Sequence, residues 1–279
     1  MIALKSSSLT VLVLDPVADR ERLGTRYCTG GFVFQVEDHD GFPARGNLLS
    51  GPTYPNSYTL FGGQGAPDAF YPHLVIDQDP DGTPARVLGI GIGEIDAKGD
   101  TISARCAWDI YREDGLLRFR TMQSAGVWTF ELERTLTLRA RTLKVETVLF
   151  NTGKRHVAFQ WFPHPFFPLS PSGECCKMNV PISLPANTGF ELLDNGFLRM
   201  KHLPWTEGKN HFQPLGFRAT SPISFLQRHP LTSLVSAVCD YVPSRLPVWG
   251  NEFTFSFEPY YERNLQPGEA AGWSITYDF

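Results

Sequence analysis

The stretch Trp128-Thr129-Phe130-Glu131-Leu132-Glu133-Arg134-Thr135-Leu136-Thr137-Leu138-Arg139 decides the fold class. Trp128, Phe130, Leu132, Leu136 and Leu138 fall on even positions, with Thr, Glu or Arg between them. Alternation of period two sends every second side chain to one face, so the segment reads as a long strand with one buried side. Beyond it the apolar phase moves to odd positions at Leu143 and Val145, which predicts a turn or bulge at Ala140-Arg141-Thr142. The phase moves again before Val148 and Phe150, and Asn151-Thr152-Gly153-Lys154 then supplies turn chemistry. An aromatic-rich strand follows over residues 156–162.

Further strand patterns lie at 9–14, 31–37, 101–111, 231–241, 253–260 and 273–279. Breakers such as Asp38-His39-Asp40-Gly41 and Asp79-Pro80-Asp81-Gly82 separate several of them. No run shows three helical turns capped at both ends. Short strands at close spacing predict an all-β fold, a large antiparallel β-sandwich with few short helices. No linker, charge run or fixed-period repeat divides the chain, so residues 1–279 read as a single domain.

Composition agrees. Hydrophobic residues make up 42% and charged residues 19%, which excludes a disordered chain. The aromatic share of 13%, beside 25 Gly and 22 Pro, suits strands and turns better than a helical bundle. A net charge of −4 without any basic run argues against nucleic acid and membrane surfaces as partners. The apolar run Val11-Leu12-Val13-Leu14 is too short for a signal-peptide core or a membrane span. Five scattered cysteines, an odd number, read as reduced thiols of a cytoplasmic protein.

Common catalytic and ligand motifs are missing. There is no His-Glu-x-x-His, paired Cys-x-x-Cys, Gly-x-Ser-x-Gly or phosphate-binding Gly-x-x-x-x-Gly-Lys. Gly89-Ile90-Gly91-Ile92-Gly93 lacks the following helix of a dinucleotide loop, so it reads as a small-residue strand that another segment approaches closely. Cys175-Cys176 has no partner pair for zinc. Arg118, Arg120, Arg134, Arg139 and Arg141 are scattered, and those on alternating strands are expected on a solvated sheet face.

Two segments carry chemistry. In Trp161-Phe162-Pro163-His164-Pro165-Phe166-Phe167-Pro168-Leu169 one imidazole sits between prolines inside a wall of rings. Proline on each side prevents regular ladder pairing, so His164 is expected where a strand leaves the sheet. It reads either as a satisfied core histidine or as a proton donor or acceptor. In Phe253-Thr254-Phe255-Ser256-Phe257-Glu258-Pro259-Tyr260-Tyr261, alternation puts the three Phe on one face and Thr254, Ser256 and Glu258 on the other. Glu258 is either a solvated edge charge or a general base in an aromatic-walled cleft.

At these places the sequence resembles the aldose 1-epimerase (galactose mutarotase) family. Asn151-Thr152-Gly153, a strand, and then His164-Pro165-Phe166-Phe167-Pro168-Leu169 follow its order of motifs. So do Phe257-Glu258-Pro259, Leu265-Gln266-Pro267-Gly268-Glu269 and the ending Trp273 to Phe279. The likeness covers roughly residues 85–279. It implies a β-supersandwich that interconverts the anomers of an aldose, a small carbohydrate, without metal or organic cofactor. By resemblance, His164 is the acid at the ring oxygen and Glu258 the base at the anomeric hydroxyl. The two are expected to lie one sugar ring apart, about 5–8 Å. Phe166, Phe167, Tyr260 and Trp249 are expected to form the apolar platform under the sugar.

The chain departs from the family's pattern upstream. Where members carry a second histidine, Thr59-Leu60-Phe61-Gly62-Gly63-Gln64 puts Phe61. His73 is the substitute candidate, or else a surface-loop histidine, and Arg86 and Asp109 are the candidate sugar-binding pair. Two other readings stay open: a carbohydrate-binding protein without catalysis, and a glycoside hydrolase or lyase with Glu262 or Glu94 as partner of Glu258. The sequence names neither the sugar nor an oligomeric state.

Overall fold

The long alternating stretch forms the strand Trp128–Arg139, inside an eight-stranded antiparallel sheet. We describe residues 1–40, 46–49, 63–185, 189–201 and 210–279 of a computed structural model. The sheet runs in the order Asp109–Glu113, Leu116–Ala125, Trp128–Arg139, Thr142–Phe150, Ala270–Asp278, Ser233–Cys239, Ser224–His229 and Cys176–Met178. The last strand of the chain therefore lies in its middle, paired with Thr142–Phe150 on one side and Ser233–Cys239 on the other. Arg139 faces Thr142 across a two-residue turn, and Ala140 takes the positive φ of 50° that the turn needs.

Several expectations change here. Thr142–Phe150 runs unbroken through the second change of phase, where Val148 and Phe150 simply point outward, 43% and 38% exposed, beside buried Leu149. The predicted strand at 101–111 is two strands, Ile102–Arg105 and Asp109–Glu113, in different sheets. Gly89 to Gly93 makes a turn between the strands Pro84–Gly89 and Gly93–Asp96. The close approach is real: Gly91 has φ +73°, and a Cβ there would stand 2.3 Å from Cys28 Sγ. Among the described residues the only helical element is the 3-10 turn Arg20–Arg22, and no helix is long and apolar enough to cross a membrane.

Smaller sheets cover the inner face of the large one. A three-stranded sheet has Val157–Pro163 at its centre, flanked by Tyr261–Leu265 and Asp68–Tyr71. A four-stranded sheet runs Phe167–Pro168, Thr254–Phe257, Pro247–Gly250, His211–Pro214. Aromatic rings join the layers: Phe159 meets Trp273 at 5.4 Å, and Phe225 stacks on Phe257 at 4.2 Å. This is a galactose mutarotase-like β-sandwich.

Arg134 corrects the expectation of a solvated basic face. It occupies an even, inward position of its strand, 1% exposed, and donates both terminal nitrogens to the Asp68 carboxylate. The pair ties the large sheet to the strand beside Val157–Pro163. Arg118 and Arg120 lie on the outer face and pair diagonally with Glu133 and Glu131 of the next strand, as expected. Arg141 instead clamps Asp38 and Asp40 at 2.7 Å each.

Candidate active site

His164 owes its position to the turn before its strand. Asn151 is fully buried, and its side-chain amide donates to the carbonyls of Arg155 at 2.8 Å and Leu265 at 3.0 Å. The Asn-Thr-Gly turn is thereby pinned, and Val157–Pro163 starts in register with Tyr261–Leu265. At the other end, Pro163 closes the strand. His164 N–H still donates to Pro67 O and Phe166 N–H to Gly65 O, both at 2.8 Å. Pro165, without an N–H, sits between those two donors, so the chain can leave the ladder without orphaning one.

Rings enclose the imidazole. Phe166 stacks on it at 4.3 Å, while Tyr27 and Trp249 present edges at 6.0 and 5.5 Å. Gly63 lies against the Phe166 ring so closely that a Cβ would come within 1.9 Å of it. Glu258 follows the strand Thr254–Phe257, and its N–H donates to Pro247 O at 3.0 Å. Thr254, Ser256 and Glu258 share one face, as alternation predicts. That face is buried too, at 1%, 0% and 2% exposure, and Ser256 Oγ has no hydrogen-bond partner. Phe255 and Phe257 fill the core on the opposite face, whereas Phe253 is 55% exposed.

The two candidates meet. His164 Nε2 lies 3.2 Å from Glu258 Oε1, and Tyr260 lies close enough to favour the charged form of the Glu258 carboxyl. The expected spacing of one sugar ring is therefore not found: the pair is in direct contact, held there by the rings around His164. Burial pushes the Glu258 carboxyl up to about 8, against the opposing pull of Arg26, Tyr260 and Arg245. Burial also lowers His164 well below its ordinary value, and the charge of Arg26 adds to this. Both shifts disfavour charge. Around neutral pH burial therefore keeps the Glu258 carboxyl protonated and the His164 imidazole neutral.

Two aromatic and two basic residues complete the site. Phe162 stacks on Tyr260 at 4.4 Å. The Arg245 guanidinium covers the other part of Tyr260 at 4.3 Å, and the Arg26 guanidinium lies over Tyr27 at 5.2 Å. Among the described residues no three His, Cys, Asp or Glu side chains gather as metal ligands.

Of the residues singled out in the sequence, His164, Glu258, Phe166, Trp249 and Tyr260 come together here. Phe167 does not: it pairs with Phe255 and stacks on Phe257 in the core. His73 does not reach the site either. Its neighbour Tyr71 faces Gln160, whereas His164 meets Pro67, four residues or about 13 Å down the same strand. Arg86 is bound to Glu94 at 2.8 Å on an exposed hairpin, and Asp109 stands exposed opposite Arg120. Phe61 lies outside the described residues. Arg26, Tyr27 and Arg245 belong to the site and were not singled out. They sit in short connections with no periodicity or motif, so only tertiary structure reveals them.

No family model matches the sequence, and no curated protein matches it. Solved structures do. A galactose mutarotase related enzyme from Lactobacillus acidophilus is similar with a TM-score of 0.62 and 10% identity, over 99% of this chain and 96% of that one. A galactose mutarotase-like protein from Lactobacillus casei gives 0.57 and 14%, over 100% and 99%. One from Clostridium acetobutylicum gives 0.54 and 11%, over 99% and 93%. At these identities the likeness establishes the fold alone.

Proposed function

We propose that the chain interconverts the α and β anomers of an aldose through its buried His164–Glu258 pair. The observation that carries this reading is the 3.2 Å approach of His164 Nε2 to Glu258 Oε1 in a buried, ring-walled site. The anomeric hydroxyl and the ring oxygen are bonded to the same carbon, so the groups that serve them must themselves be neighbours. A contact pair meets that need from one side of the sugar.

With the proton on Glu258, the carboxyl protonates the ring oxygen while His164 Nε2 takes the hydroxyl proton. The bond from the anomeric carbon to the ring oxygen breaks and the carbonyl forms. The pair becomes carboxylate and imidazolium with its proton count unchanged. Rotation about the adjacent carbon–carbon bond and closure on the other face return both protons and invert the centre. These are the reverse of the roles that the family resemblance implies, and burial is the reason: it favours the neutral form of each group. Trp249, Phe166 and Tyr260 supply apolar faces for the sugar's C–H groups.

A second reading, a carbohydrate-binding protein without catalysis, draws on the near-complete burial of the pair, at 1% and 2% exposure. A hydrolase fits less well. Glu94 is engaged by Arg86, and Glu262 by Arg245 at 3.2 Å, so neither is free to act beside Glu258. Polarimetry on freshly dissolved α-glucose and α-galactose decides between the first two. A rate above that of buffer supports the enzyme, and saturable sugar binding at the buffer rate supports the binding protein.

A further inference from the structure

Arg26 has a charge that the proton transfer does not use. It is half-buried, lies over Tyr27, and Tyr27 presents its edge to His164 at 6.0 Å. Among the described residues no carboxylate forms an ion pair with it. Glu258 feels its charge but makes no ion pair with it. Arg245, the other cation of the site, is already matched: Nε meets Glu262 at 3.2 Å and Nη2 donates to Gln160.

A half-buried guanidinium without a counter-ion is a cost to the folded protein, and an incoming anion would remove it. One unmatched planar fork fits one carboxylate, which it can hold with two parallel hydrogen bonds. A phosphate dianion would leave a charge unbalanced. On a hexose, a carboxylate at C6 hangs from the carbon that also bears the ring oxygen. Arg26, one ring away from the imidazole across Tyr27, is on the side of the site from which such a carboxylate could be met.

We propose that Arg26 makes the site selective for hexuronic acids over neutral hexoses. The orientation of the sugar in this proposal rests on the anomer-interconverting reading above. Binding is measurable apart from catalysis, because methyl glycosides cannot open.

The test is calorimetric titration of the full chain with methyl α-D-glucuronoside and methyl α-D-glucoside, for wild type and Arg26→Met. The uronoside is expected to bind at least ~10-fold tighter to wild type, and Arg26→Met to cut that preference by about 10- to 100-fold. Arg26→Lys should restore part of it, and a melting temperature no lower than that of wild type certifies the fold of each variant. Equal affinities, no binding of the uronoside, a preference untouched by Arg26→Met, or tighter binding of glucose 6-phosphate would overturn the proposal. Mutarotation of glucose and galactose, followed in parallel, separates the two ideas. Catalysis on neutral sugars with no uronoside preference removes this proposal alone, and uronoside selectivity without catalysis upholds it while removing the enzymatic reading.

Discussion

His164 Nε2 stands 3.2 Å from Glu258 Oε1, with both side chains all but fully buried. They follow strands of different sheets: His164 comes after Val157–Pro163, and Glu258 after Thr254–Phe257. Their contact sets a buried imidazole and a buried carboxyl side by side, and the first two consequences below follow from it.

The first concerns pH. In the proposed reaction Glu258 must enter protonated and His164 neutral. Glu258, raised to about 8, loses its proton as pH climbs through that value, so kcat/KM should fall above about pH 8. His164 is lowered, so it gains a second proton only well below its ordinary range, and the acid limb should lie well under neutrality. The pH profile of kcat/KM checks this. A rate still rising through pH 8 would speak against a protonated Glu258.

The second concerns stability. A carboxyl whose folded value lies above its unfolded one binds protons more tightly when folded. Its contribution is fully present below about 4.5, the ordinary value, and is lost as pH rises toward about 8. Glu258→Gln removes this loss. The variant should melt higher than wild type at pH 8–9, with the gap narrowing toward pH 5, even though its activity is impaired. Thermal unfolding across that range tests it, and a variant less stable than wild type at pH 9 would contradict the electrostatics.

The third concerns the anchor between sheets. Asp68→Ala leaves Arg134 buried and unpaired, which should cost about 3–5 kcal/mol in urea unfolding. Replacing both partners, Arg134→Met with Asp68→Leu, should recover most of that loss. A double variant as unstable as the single one would mean that the pair does more than neutralise itself.

The fourth concerns the backing of the imidazole. Gly63→Ala puts a methyl into the Phe166 ring, and Phe166 stacks on His164. Overpacking of this kind costs about 1–3 kcal/mol. Activity per folded molecule should fall as well, because the ring that fixes the imidazole must move. Full activity with a lowered melting temperature would separate Phe166 from the site.

Much of this was legible in the chain itself, for identifiable reasons. The alternation from Trp128 to Arg139 marks a half-buried strand because its polar and apolar positions are local facts. His164 and Glu258 stand out because prolines and rings surround them in the sequence. Arg134 was misplaced because charge normally faces water, and only the partner Asp68, 66 residues away, explains the exception. Val148 and Phe150 look like a second change of phase because apolar residues on a strand can point outward. The contact distance was also out of reach. It depends on how Phe166, Tyr27 and Trp249 press on one imidazole from three parts of the chain.

The most direct measurement is anomer exchange by NMR at pH 7 on α-glucose, α-galactose and α-glucuronic acid, with wild type and Glu258→Gln. Glutamine keeps the shape and hydrogen-bonding capacity of glutamate but can neither give nor accept the proton. The account predicts exchange well above buffer for wild type on at least one of these sugars, and a loss of about 10²- to 10⁴-fold in the variant. Wild-type exchange no faster than buffer on all three, or a Glu258→Gln variant that keeps the full rate, would contradict it.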